Sequence, residues 1–137
     1  AQLVRRVIRP ALEQGDWVIC DRFADSTTVY QGYGRGFPID RVEAINRFAI
    51  GETIPDRTFL LDLDVEAGFE RLARRAERGG RSADRMERED REFHRRVREG
   101  YLTLARAEPA RFRVINAALG EEEVAARVWE ALSDVLP

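Results

Sequence analysis

Residues 17–36 read WVICDRFADSTTVYQGYGRG. The first four are apolar with no polar alternation, which suits a strand buried on both faces of a parallel sheet. Asp21 and Arg22 stand at the carboxyl end of that run. The following ADSTTVYQGYG has helical character, with Asp25 or Ser26 as its cap. The same order recurs downstream. RTFLLDLD (57–64) is a second apolar strand ending in acids, and VEAGFERLARRAERGG (65–80) is the helix after it. RFRVINAA (111–118) is a third strand, and GEEEVAARVWEALSDVL (120–136) closes the chain as a helix with acids in its first turn, where the helix dipole favours them. Strand followed by helix, repeated, predicts an α/β fold with a parallel sheet and helices on both faces. Ligands of such sheets sit at the carboxyl ends of strands. Asp21-Arg22, Asp62-Leu63-Asp64 and Asn116-Ala117 all fall there.

The intervening segments read as helices. In AQLVRRVIRPALEQG (1–15), Leu3, Val4, Val7, Ile8, Ala11 and Leu12 recur at helical spacing, Pro10 should bend the helix, and Gly15 stops it. In GFPIDRVEAINRFAIG (36–51) the expected inward stripe is Val42, Ile45, Phe48 and Ala49. In the helix after the second strand it is Val65, Phe69, Leu72 and Ala76. In REFHRRVREGYLTLARAE (91–108) it is Phe93, Val97, Tyr101 and Leu104. RSADRMERED (81–90) has no apolar face and is the expected mobile segment.

A chain of 137 residues fits one domain, here 1–137. A net charge of −2 gives no overall pull toward nucleic acid or acidic membranes, and no apolar run is long enough to span a bilayer. The lone Cys20 cannot form an internal disulfide, suits a reducing cytoplasm, and is expected to be a small core residue. All 23 basic residues are Arg. Arg grips phosphate as a planar fork, although an all-Arg surface also serves as plain solvated charge. The chain does not begin with Met, and its first residues already have helical periodicity, so a preceding segment is expected.

Three constellations could carry chemistry. Arg22 at a strand end can receive a phosphate bidentately, and Asp21 can hold Mg²⁺ directly or through water; the alternative is a local ion pair. Beyond them, Thr27, Tyr30 and Gln31 share a face at helical spacing, and Ser26 is four residues from Tyr30. A carboxamide, hydroxyls and a ring on one face can read a planar base, or can form a polar outer face. Third, residues 71–98 hold eleven Arg interleaved with acids. Most suit a solvated helix face. Arg78, Arg81 and Arg85, near Gly79 and Gly80, could swing onto a phosphate from a mobile flap at about 78–88. The interleaved acids weaken any nucleic-acid reading. His94, the only histidine, has no metal-ligand partners in spacing and suits a structural role.

The stretch DRFADSTTVYQGYGRG (21–36), followed in order by RTFLLDLDVEAGFERLARR, ADRMERED and FHRRVREGYLTLA, resembles the thymidylate kinase family, in its bacterial form. The resemblance implies a P-loop nucleoside monophosphate kinase-like fold and transfer of the ATP γ-phosphate to dTMP, with Mg²⁺, in a cytoplasmic homodimer. It implies that Arg22 holds the dTMP phosphate, with Asp21 near the phosphates and Mg²⁺. Gln31, with Thr27, would meet the thymine edge, Ser26 would belong to the same dTMP site, and Tyr30 would pack on the deoxyribose. Arg78 would lie over adenine, Arg81 and Arg85 would approach the ATP phosphates as catalytic cations, and Asn116 and Ala117 would line the adenine site. The family's P-loop, G-x-x-x-x-G-K-[ST], is not in this chain, which contains no Lys. The resemblance therefore covers the carboxyl-terminal two-thirds of such an enzyme, without its first βα unit, and expects the 137 residues alone to be inactive. Another nucleoside or deoxynucleoside monophosphate kinase, or a nucleotide-binding module without turnover, are the alternatives.

Overall fold

The computed structural model describes residues 1–77, 90–133 and 135. They form two compact units, Ala1–Pro55 and Asp56–Pro137.

The first unit is helical. A π-helical segment, Val4–Ile8, runs directly into α1, Arg9–Glu13. The wide turn sits next to Pro10. Proline has no N–H to give and crowds the carbonyl one turn back, and the Arg9 N–H bonds to Val4 in the longer π spacing. Val4 and Ile8 are the buried positions of this helix, whereas Leu3, Val7 and Leu12 are exposed. The second helix begins as α2, Ala24–Thr27, and again widens into a π-helical segment, Thr28–Gly34. Its N-cap is Phe23, in extended conformation and without a side-chain cap; Asp25 lies inside the first turn rather than at the cap. Val29 is fully buried. Helix α3, Ile39–Ile50, packs on this segment. A β-carbon added at Gly32 would come within 3.1 Å of Ile39 Cγ1, so the glycine permits that approach.

Two expectations for this unit are corrected. Trp17–Cys20 is not a strand: no strand pairs with it among the described residues. Without a ladder partner or a covering layer, Ile19 is 97% exposed, and Cys20 is exposed rather than core. The inward stripe of α3 also differs. Val42 is buried and Asn46 half-buried, whereas Ile45 and Phe48 are 66% and 93% exposed. Val42 and Asn46 stand four apart on one face; Ile45 and Phe48 form a separate apolar face.

The second unit is α/β. Strands β1, Thr58–Asp62, and β2, Phe112–Asn116, pair in parallel, with Thr58 opposite Phe112 and Asp62 opposite Asn116. Phe112 and Ile115 are both buried, and an odd separation puts them on opposite faces, so β2 is covered on both sides. Leu61 and Val114 are about half exposed. Helix α4, Val65–Glu77, follows β1, with Val65, Phe69 and Leu72 half-buried as their spacing predicts. The Ala76 side chain and residues 78–89 lie outside the described residues, and the expected mobile flap falls among them. Helix α5, Arg91–Ala107, opens on an Asp90 cap that accepts from the Phe93 N–H at 2.6 Å. Phe93 and Val97 are buried and Tyr101 and Leu104 half-buried, as the periodicity predicts. His94 packs edge-on against the rings of Phe69 and Phe93, a structural role. Helix α6, Glu121–Glu130, packs on β2 with three Glu in its first turn. No described helix is long and apolar enough to cross a membrane.

Candidate functional site

The turn from Cys20 into α2 is backbone-strained at one residue. Arg22 has φ +69°, the only positive φ at a non-glycine position among the described residues. A residue with a Cβ in left-handed geometry costs free energy, and such residues concentrate at functional sites. The Cys20 thiol donates to the Arg22 carbonyl at 3.6 Å. The conformation brings the guanidinium back over the following helix, where Arg22 Cζ lies 4.3 Å from the Tyr30 ring centroid. Arg22 and Tyr30 are thus brought together, with Asp21 exposed beside them.

The helix that carries Tyr30 is held from behind. Asn46 of α3 donates one amide to both the Ala24 carbonyl, at 3.0 Å, and Thr28 Oγ1, at 2.9 Å. Thr28 is buried, which leaves Thr27 exposed and Ser26 half-buried. From Thr28 onward the π-helical spacing widens each turn, so the face shared by Thr27, Tyr30 and Gln31 under α-helical spacing is not preserved in detail. Gln31 is half-buried, and its Oε1 lies 3.5 Å from an Arg35 Nη, a long contact. Asn46 is the residue missed by sequence reasoning. Its signal is a lone carboxamide four residues from Val42 on an otherwise apolar helix face.

In the second unit the carboxyl ends of β1 and β2 carry a polar frame. Arg98 of α5 forks onto Asp62, Nε to Oδ1 at 2.7 Å and Nη2 to Oδ2 at 3.0 Å, and reaches Asp64 at 3.3 Å. The hydrogen bonds from Arg98 hold the Asp62 carboxyl below its ordinary range against the opposing cost of burial, and Asp62 in turn raises Arg98. Both strand-end acids are therefore paired with Arg98. The Asp62 carbonyl accepts from the Ala117 N–H at 2.8 Å, Asn116 Oδ1 accepts from the Ala118 N–H at 2.9 Å, and Arg71 of α4 donates to the Ala117 carbonyl at 2.9 Å. Alongside, Glu66 bridges Arg91 at 3.3 Å and Arg95 at 2.6 Å. An open hollow of about 300 Å³ lies against Asp64, Glu66, Arg95 and Arg98. Arg98 was readable only as the countercharge that Asp62 and Asp64 require. Arg78, Arg81 and Arg85 lie outside the described residues.

A sequence profile of the thymidylate kinase family matches residues 1–128. The chain belongs to the thymidylate kinase family. It is 52% identical to a thymidylate kinase of Pelotomaculum thermopropionicum over 136 residues, which cover 99% of this chain and 61% of that protein. It is 49% identical to a thymidylate kinase of Deinococcus radiodurans, covering 98% of this chain and 63% of the relative. The chain thus spans about three-fifths of the length of these curated relatives. The crystal structure of thymidylate kinase from Ehrlichia chaffeensis superposes with a TM-score of 0.67 at 31% identity, over 94% of this chain and 55% of that one. The α/β architecture with a parallel sheet is therefore that of the thymidylate kinase family.

Proposed function

We propose that the full-length protein is a thymidylate kinase that transfers the γ-phosphate of ATP to the phosphate of dTMP, giving dTDP and ADP. The observation that carries this reading is the Arg22 corner: a strained cation resting on an aromatic ring, at the mouth of a polar helix, in a chain of this family. A planar guanidinium held through a ring keeps its N–H donors for a doubly charged oxyanion. Arg22 would hold the acceptor phosphate and orient one of its oxygens toward the γ-phosphorus. That oxygen forms the new P–O bond as the bond to the β-phosphate oxygen breaks, and ADP carries away the electron pair. Tyr30 would brace Arg22 and pack on the deoxyribose, while Gln31, with Ser26 and Thr27, would meet the thymine edge. Asn116 and Ala117 would line the donor base. Arg78, Arg81 and Arg85 would neutralise donor phosphate charge, which with positioning is most of the catalysis in phosphoryl transfer.

Mg²⁺ binds through one or two carboxylates plus phosphates and water, and Asp21, an exposed carboxylate next to Arg22, suits a water-mediated hold. The ion would supply charge neutralisation on the donor phosphates. The P-loop Lys has no counterpart in these 137 residues, so the chain alone is expected to transfer no phosphate. We further place the enzyme in the cytoplasm as a homodimer; the exposed Ile45 and Phe48 of α3 offer an apolar face that a second copy would cover.

A coupled ADP-release assay on the full-length protein tests the reading. ATP-dependent turnover of dTMP, well above that of dGMP or deoxycytidine, is expected. Turnover of another acceptor in preference to dTMP would make it a different nucleotide kinase, and nucleotide binding with no turnover a binding module.

A further inference from the structure

The loop after β2 is fixed by more groups than a surface loop requires. Both peptide groups of Ala117 have protein partners: its N–H donates to the Asp62 carbonyl at 2.8 Å, and its carbonyl accepts from Arg71 Nη2 at 2.9 Å. The next N–H, that of Ala118, is taken by Asn116 Oδ1 at 2.9 Å. The strand end that receives Ala117 is itself clamped, since Arg98 forks onto the Asp62 side chain. Arg71, like Arg98, reaches into this frame from a helix, 46 residues away in sequence from the carbonyl it meets. It belongs to α4, where Arg74, by contrast, pairs with the acid Glu70. An arginine spent on a backbone carbonyl neutralises no charge. It orients a peptide.

We propose that Arg71 is a positioning residue for the phosphate donor, fixing the Asn116–Ala118 loop at the carboxyl end of β2 so that it meets the donor's base in one orientation. This rests on the reading of the protein as an ATP-dependent kinase, and on the rule that ligands of parallel α/β sheets lie beyond the carboxyl ends of strands. A loop fixed before binding loses less entropy when the base arrives, and a base of different edge chemistry cannot be met by rotating the peptide. Arg71 spends its guanidinium on a carbonyl of this loop, so its loss should act on donor recognition and leave acceptor recognition alone.

The test uses the full-length protein with Arg71→Ala and Arg71→Lys, assayed with ATP and with GTP as donors and with dTMP varied. For Arg71→Ala the KM for ATP is expected to rise about tenfold, the loss of one charge-assisted hydrogen bond. The ratio of kcat/KM for ATP to that for GTP should move toward one, while the KM for dTMP and the melting temperature stay near wild type. Arg71→Lys, which can still donate to the carbonyl, should recover most of the ATP KM. An unchanged ATP KM and donor ratio, or an equal rise in both KM values with a lowered melting temperature, would overturn the proposal. A wild-type protein that transfers no phosphate from ATP or GTP would remove the kinase reading itself, and the proposal with it.

Discussion

Two arginines, one in the turn that leads into α2 and one on α5, are held in opposite ways. Arg22 sits on a ring, with its backbone strained into left-handed geometry. Arg98 sits in a carboxylate fork, on an unstrained helix, with a second acid within reach. A guanidinium in a bidentate carboxylate pair has spent its best donors on the fold. One stacked on an aromatic ring has spent its face and kept its edge. The first arrangement suits an arginine that waits for an anion, the second one that holds a frame. The protein thus uses the same residue type for recognition in one unit and for construction in the other.

Breaking the recognition side should have the largest effect. Arg22→Ala in the full-length protein is expected to lower kcat/KM for dTMP by about a hundredfold or more, the scale of an unpaired charge at a binding site, read by steady-state kinetics. The melting temperature should change little, because alanine carries the same Cβ into the left-handed φ and the side chain it removes is exposed. On the construction side, Arg98→Ala should do the reverse. It is expected to lower stability by about 1–2 kcal/mol, allowing for partial exposure, by chemical unfolding, with a smaller effect on dTMP kinetics.

The pH dependence sharpens the contrast. Asp62 has its carboxyl lowered by Arg98, so its contribution is present above the unfolded carboxylate range and disappears as pH falls through the lower folded value. The stability gap between wild type and Asp62→Asn should therefore be constant at neutral pH and shrink below about pH 4. A gap that persists unchanged at lower pH would mean that charge pairing is not what Asp62 contributes. Gln31→Ala should weaken dTMP binding about fivefold, the loss of one hydrogen bond, with no change for ATP; an unchanged KM for dTMP would remove Gln31 from base recognition. The smallest effect is expected for Glu66→Gln. Its pairs with Arg91 and Arg95 are solvent-exposed, and its loss should cost less than about 1 kcal/mol.

What could be read from sequence followed the strength of local patterns. The stripe Phe93, Val97, Tyr101 and Leu104 is unambiguous at helical spacing, and it folds as read. The second and third strands carry continuous apolar runs ending in Asp62 and Asn116, and they pair in parallel. Trp17–Cys20 has the same pattern and forms no strand, since a strand is made by its neighbour and composition cannot supply one. Ile45 and Phe48 look like core by period, yet they are exposed, and Val42 and Asn46 take the inward face, where the carboxamide donates to Ala24 and Thr28. The π-helical turns were invisible for a related reason. Pro10 announced a disturbance, but nothing in TVYQGYG announces a wider spacing, and that spacing decides which of Thr27, Tyr30 and Gln31 look the same way. The frame made by Arg71 and Arg98 was hidden among eleven similar cations that differ only in what they touch.

The most direct measurement is a calorimetric titration of the full-length protein, wild type and Arg22→Ala, with dTMP and with thymidine. If Arg22 is the seat of the acceptor phosphate, the substitution abolishes most of the affinity for dTMP and leaves that for thymidine nearly unchanged. Equal dTMP affinity in the two proteins, or parallel losses for dTMP and thymidine, would contradict the assignment.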